Sequence, residues 1–178
     1  MKIYEKAELS TSIKLDWENS WYLWGSIGSG KTHNCYGLLH KWNNALMKLQ
    51  EKNEKSGIYG GYPWLRLDNW AIKTDELRNT PLDLDIYLGY NRREKEKILI
   101  NCKHLVIDDI GAEKRSDYTD DLLMRLLEHR YSNGFYTGFT SNLSIGELPY
   151  DARIISRVAG IVGNNKFELT GKDRRITR

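Results

Sequence analysis

The chain has 178 residues, a formal net charge of +3, 40% hydrophobic and 29% charged residues, which is the balance of one globular domain large enough to bury a core. The longest apolar runs, such as Leu105-Val106-Ile107, are a handful of residues and exclude a bilayer-spanning helix. Two cysteines, Cys35 and Cys102, without CxxC or Cys/His spacing, suggest neither a disulfide scaffold nor zinc; with no apolar stretch after Met1–Lys6, a reducing, cytoplasmic compartment fits best.

The carriers of structure alternate along the chain. Trp21-Tyr22-Leu23-Trp24 reads as a buried strand that stops at Gly25. A glycine-rich turn follows, then a helix from Lys31 to Gln50 with Leu38, Leu39, Trp42, Leu46 and Leu49 at helical spacing. The region Ile58–Leu67 reads equally as a hairpin or an ordered loop. Trp70-Ala71-Ile72 is a second strand, followed by helix starts at Thr74 and at Thr80-Pro81, and by capping-box spacing at Asn91–Glu94. His104–Ile107 is a central strand, apolar on consecutive residues as parallel strands are. Asp117–Tyr131 predicts an amphipathic helix with Leu122, Leu123, Leu126 and Leu127 inward, ended by Asn133-Gly134. Phe135–Thr140 is a strand, Ile154–Ala159 lies in a helix, and Lys166–Leu169 is a last strand. The alternation predicts an α/β domain around a mainly parallel sheet flanked by helices. No repeat, low-complexity tract or Pro-rich linker divides it.

One segment carries specific chemistry. Gly25-Ser26-Ile27-Gly28-Ser29-Gly30-Lys31-Thr32 matches the P-loop pattern G-x-x-x-x-G-K-[ST], between an apolar strand and a helix. Glycines let backbone N–H groups turn inward around phosphates. Lys31 is placed to reach the β- and γ-phosphates, Thr32 to ligate Mg²⁺, and the helix start, including His33, to present its positive end to the anion. Nucleotide, ATP with Mg²⁺, is the expected ligand. Asp108, at the carboxyl end of an apolar strand, is the candidate second metal-holding group, and Asp109 the candidate for orienting an attacking water. Two acids that merely cap the next turn would look the same. Thr140-Ser141-Asn142 follows another strand, where a polar side chain senses nucleotide state or simply forms a turn.

These segments together resemble the DnaC/DnaI-type helicase loaders of the AAA+ ATPases and their IstB relatives. The resemblance runs through Trp21–Thr32, LVIDDIGAEK (Leu105–Lys114), FTSNL (Phe139–Leu143), ARIISRV (Ala152–Val158) and GKDRR (Gly171–Arg175). It implies a P-loop NTPase fold of AAA+ type with a reduced or absent helical lid, residues 1–19 being an N-terminal extension and 20–178 the ATPase domain. It also implies roles: Asn142 at the sensor 1 position, Arg157 as the arginine finger acting in a neighbouring subunit, and Arg174, with Arg175 in competition, as the sensor 2 arginine. A guanidinium there offsets charge on the transferred phosphoryl group.

The chain departs from the pattern in two places. Many AAA+ proteins have Asp-Glu where this one has Asp108-Asp109, one methylene shorter, which suits slow hydrolysis or a binding switch. The loaders also carry an N-terminal helicase-gripping domain ahead of the first strand, which residues 1–19 do not match. The resemblance implies as partners a replicative helicase, single-stranded DNA and further copies of the chain, with no membrane. Arg92, Arg93, Lys95 and Lys97 form a basic cluster that would suit DNA, although Glu94 and Glu96 alternate with them as in a solvated helix. The alternatives are an IstB-like transposition helper and a non-hydrolysing nucleotide-dependent adaptor that regulates a helicase.

Overall fold

The computed structural model describes residues 15, 18–35, 37–38, 41, 69–73, 99–102, 104–113 and 115–170. Strands β1 (Trp21–Gly25), β2 (Asn69–Lys73), β3 (His104–Asp108), β4 (Tyr136–Ser141) and β5 (Lys166–Leu169) form one sheet in the order β2-β3-β4-β1-β5. Every pairing is parallel. Helix α1 (Asp117–Ser132) joins β3 to β4, and α2 (Ala152–Val162) joins β4 to β5. Helical residues also follow β1 directly, at 31–35 and 37–38. The expected helix positions Trp42, Leu46 and Leu49, the starts at Thr74, Thr80 and Asn91, and the region 58–67 lie outside the described residues.

The strand order contains one reversal of direction. From β1 the chain crosses to β2 at one edge, then returns through β3 and β4 and passes β1 to reach β5. Parallel crossovers are right-handed, so a reversal sends the helix after β1 to the face opposite α1 and α2. The buried side chains divide accordingly. Tyr22, Leu105, Ile107 and Phe139 pack with Leu122, Leu123, Leu126, Leu127, Ile154 and Val158 of the two helices. Trp21, Leu23, Val106 and Tyr136 pack with Cys35 and Leu38 on the other face. Strand residues alternate between the two clusters, as the period of two in a pleated strand requires.

Local chemistry sets the helix ends. The α1 N-cap is Ser116, whose Oγ accepts from Thr119 N at 3.3 Å, with Asp117 and Asp120 in the first turn and His129 and Arg130 in the last. Those charges oppose the helix dipole at each end. Asp151 caps α2, accepting from Arg153 N and Ile154 N at 2.8 and 3.0 Å. Gly138 answers a packing demand: a Cβ there would stand 2.4 Å from the ring of Trp21, its register partner on β1. That leaves room for the indole to lie across β4, where Nε1 donates to the Tyr136 hydroxyl.

Arg130 ties the end of α1 to the strands. It is fully buried. Its guanidinium donates to Leu99 O at 3.2 Å, Cys102 O at 2.8 Å, Tyr136 O at 2.5 Å and Thr137 Oγ1 at 2.8 Å. One side chain thus serves the residues leading into β3 and the start of β4. Burial pushes its pKa down, with the nearby Cys102 acting in the opposite direction. Removing it strands several buried carbonyls, so Arg130→Met is expected to lower unfolding free energy by about 3 kcal/mol or more in urea titration.

Candidate P-loop site at the carboxyl ends of the strands

The strand order reverses at β1, and open parallel sheets bind ligands outside the carboxyl ends of strands at such a reversal. Gly25 ends β1 with φ 148°, and a Cβ on it would lie 2.3 Å from Leu169 O of β5. Only glycine lets the chain turn this close to the neighbouring strand. Gly28 and Gly30 follow with φ 79° and 98°, and Ser29 N donates to Ser26 O at 3.3 Å, curling residues 26–30 into a loop. Helical residues begin at Lys31. Asn34 secures that start, its backbone N and Nδ2 both donating to Gly30 O, at 3.0 and 2.9 Å.

Lys31 is buried, and its Nζ donates to Gly25 O and Ser26 O, each at 2.8 Å. The ammonium is therefore held inside the loop it would share with an anion. Ser29 Oγ is buried there with no hydrogen-bond partner among the described residues. A buried hydroxyl left so, a captive cation and a glycine-lined curve fit a polyanionic ligand better than a closed structural turn. Ile27 is 65% exposed at the tip of the loop, and His33 is half-buried in the first helical turn.

Asp108 comes to this loop from β3, two strands away across β4. Thr32 Oγ1 donates to Asp108 Oδ1 at 3.2 Å. Asp108 is 1% exposed, so water does little to screen its charge. The Thr32 hydroxyl and the Asp108 carboxylate are hard oxygen donors, the type that holds Mg²⁺ beside phosphate. The next residue, Asp109, is half-buried with φ 59°, a left-handed backbone uncommon for a residue with a side chain.

Thr140 links the two acids. Its buried hydroxyl donates to Asp108 Oδ1 at 2.5 Å and accepts from Asp109 N at 2.9 Å. Ser141 Oγ, next on β4, donates to Ile110 O at 2.6 Å, and Ile110 N donates to Thr140 O at 2.8 Å. Thr140, Ser141 and Asn142 all stand at this strand end in the sequence, and the family resemblance puts the sensor role on Asn142. Register decides that Thr140 meets Asp108: β4 pairs Phe139 with Ile107, which brings Thr140 level with the end of β3, and no local pattern reveals that alignment. Asn142 lies exposed just past β4.

The remaining candidates separate. Arg157, on α2, forms an ion pair with Glu128 of α1, and its guanidinium carbon lies 5.0 Å from the Tyr131 ring centroid. Its contacts are on the α1–α2 surface, not in the loop–β3 cluster. Arg174 and Arg175 lie outside the described residues, as do Arg92, Arg93, Lys95 and Lys97. Cys35 is fully buried, and burial, then the charges of Asp108 and Asp109, push its thiol pKa well up, which keeps it protonated as an apolar helix residue. Among the described residues no helix is long and apolar enough to cross a membrane.

Comparison with known proteins agrees with this geometry. The fold is shared with the solved structures of DnaI, DnaC and DnaA, and the chain's likeness is to the DnaC/DnaI-type loaders. It is 29% identical over 130 residues to the replicative helicase loader DnaI of Bacillus subtilis (strain 168), a match covering 72% of this chain and 35% of that protein. The chain thus spans about a third of that relative's length. A crystal structure of DnaI superposes with a TM-score of 0.58 at 24% identity, covering 88% of this chain and 73% of that one. The DnaC helicase loader superposes with a TM-score of 0.54 at 22% identity, covering 96% and 100%. The replication initiator DnaA, solved with AMPPCP and single-stranded DNA, gives 0.56 at 16% identity, covering 87% and 41%. No protein-family model matches the chain.

Thr140→Val keeps the side-chain shape and removes both hydroxyl bonds. It is expected to cost about 1–3 kcal/mol of stability by denaturant titration, with Thr140→Ser close to wild type.

Proposed function

We propose that this chain binds ATP with Mg²⁺ at residues 25–33 and hydrolyses it, as a helicase-loader-like AAA+ ATPase in DNA replication. The observation that carries this reading is the meeting of Thr32 and Asp108 at 3.2 Å beside the P-loop, since it joins a phosphate cradle to a metal-binding carboxylate. The likeness to DnaI and DnaC supports the replication role.

In this reading the loop amides and Lys31 bind the β- and γ-phosphates, and Thr32 with Asp108 hold the metal. Bound Mg²⁺ would neutralise charge on the phosphate oxygens. Asp109 orients a water toward the γ-phosphate, and Asn142 and Arg174 register the nucleotide's state. Arg157 reaches the nucleotide of a neighbouring copy, so turnover depends on assembly. Single-stranded DNA and a replicative helicase are the proposed partners.

A second reading is an adaptor that binds nucleotide without turning it over. The Arg157–Glu128 pair favours it, because it engages the guanidinium within its own subunit. Single-turnover phosphate release with DNA and partner present separates the two, and a pull-down against replicative helicase and transposase separates a loader from a transposition helper.

Lys31→Ala is expected to weaken ATP affinity by about 100-fold or more in a fluorescent-nucleotide titration. Unchanged affinity would overturn the assignment. Arg157→Ala is expected to spare binding and lower hydrolysis about 100-fold at high protein concentration. Wild-type turnover per subunit that is independent of concentration would remove the trans role.

A further inference from the structure

The exit from β3 is held by a cluster that the reaction scheme above leaves unused. Residues 109–112 form a turn closed by Ala112 N donating to Asp109 O at 3.1 Å. Two of its residues, Asp109 and Gly111, have left-handed backbones, with φ 59° and 89°. Such a turn persists when its surroundings over-determine it. On the β4 side Thr140 and Ser141 do so. On the far side Gly111 N donates to both Glu113 Oε2 and Tyr150 Oη, each at 3.0 Å, and the Tyr150 hydroxyl donates to Glu113 Oε1.

This knot is built into the packing. Tyr150 is buried, and its phenol pKa is pushed far up by burial and then by the Glu113 carboxylate it binds, so the hydroxyl remains a donor. A Cβ on Gly111 would meet Leu148 Cδ2 at 2.9 Å and Pro149 Cδ at 3.2 Å, which shows how closely the turn lies against the segment before α2. The Arg115 guanidinium covers the Tyr150 ring, 5.5 Å from its centroid. Tyr150 directly precedes Asp151, the α2 N-cap.

We propose that Glu113 and Tyr150 are positioning residues that hold the Asp109 turn at the mouth of the P-loop site and tie it to the start of α2. The proposal rests on the ATPase reading. Neither side chain belongs to the P-loop–Asp108 cluster, so both act through the turn. A carboxylate released from a rigid turn loses its aim on water, while the phosphate cradle stays intact.

The test uses the full chain with Tyr150→Phe, Glu113→Ala, Glu113→Gln and the double variant Tyr150→Phe/Glu113→Ala. Fluorescent-ATP affinity, melting temperature, single-turnover hydrolysis and amide exchange over residues 109–113 are measured. Tyr150→Phe and Glu113→Ala are expected to keep affinity within about twofold, to exchange faster over 109–113, and to hydrolyse about 10- to 100-fold more slowly, the range for a misplaced reacting group. The double variant is expected to be no slower than the worse single, as for residues acting as one unit. Glu113→Gln, whose amide can still accept from Gly111 N, is expected to recover most of the rate. An active wild type matched in rate and exchange by Tyr150→Phe and Glu113→Ala overturns the positioning role alone. Additive losses that follow melting temperature also overturn it, as a purely structural effect. A wild type that binds no ATP overturns the ATPase reading, and this inference with it.

Discussion

The flush carboxyl ends of β1, β4 and β3 are the constraint on which the site depends. Thr32 follows the loop after β1, Thr140 sits near the end of β4, and Asp108 ends β3. Three parallel strands in register bring their oxygens into one hydrogen-bonded row. A slip of one residue in β4 would turn Thr140 to the opposite face and place Phe139 or Ser141 beside Asp108. The two apolar clusters prevent that slip, because β1, β3 and β4 each contribute alternate residues to opposite faces and any shift would expose one set.

Buried polar groups define the surroundings of this row. Tyr22, on β1, sends its hydroxyl to Leu143 O at 2.8 Å and so fixes the chain just past β4; burial first, with a smaller push from Glu147, raises its pKa to about 12. Arg130 does comparable work at the other end of the sheet, where it gathers carbonyls around the entry to β3. Polar contacts thus anchor both ends of the strands, while dispersion and the hydrophobic effect hold their middles. Such buried groups are costly when unpartnered, which makes them specific markers of one arrangement.

The positions of the two arginine classes differ in consequence. Arg130 is interior and structural. Arg157 is half-exposed on α2, bound to Glu128 and lying over Tyr131. Residue type and sequence position alone do not distinguish the two.

Much of this protein was legible before folding. The P-loop spacing, the apolar strand ending in Asp108-Asp109, the leucines of α1 and the Asn133-Gly134 stop are local, because helix and strand periods and glycine geometry act over a few residues. A mainly parallel sheet followed from their alternation, and every pairing between the described strands is parallel. The strand order, the split between two faces, and the bond from Thr140 to Asp108 were not legible, since they depend on register between segments far apart in the chain. Thr140 and the Glu113–Tyr150 knot belong to that second class. Sequence alone determined which glycines, cation, hydroxyls and carboxylates this chain brings to the ends of its strands; tertiary structure decided which of them touch, because contact between distant residues is set by packing and not by spacing.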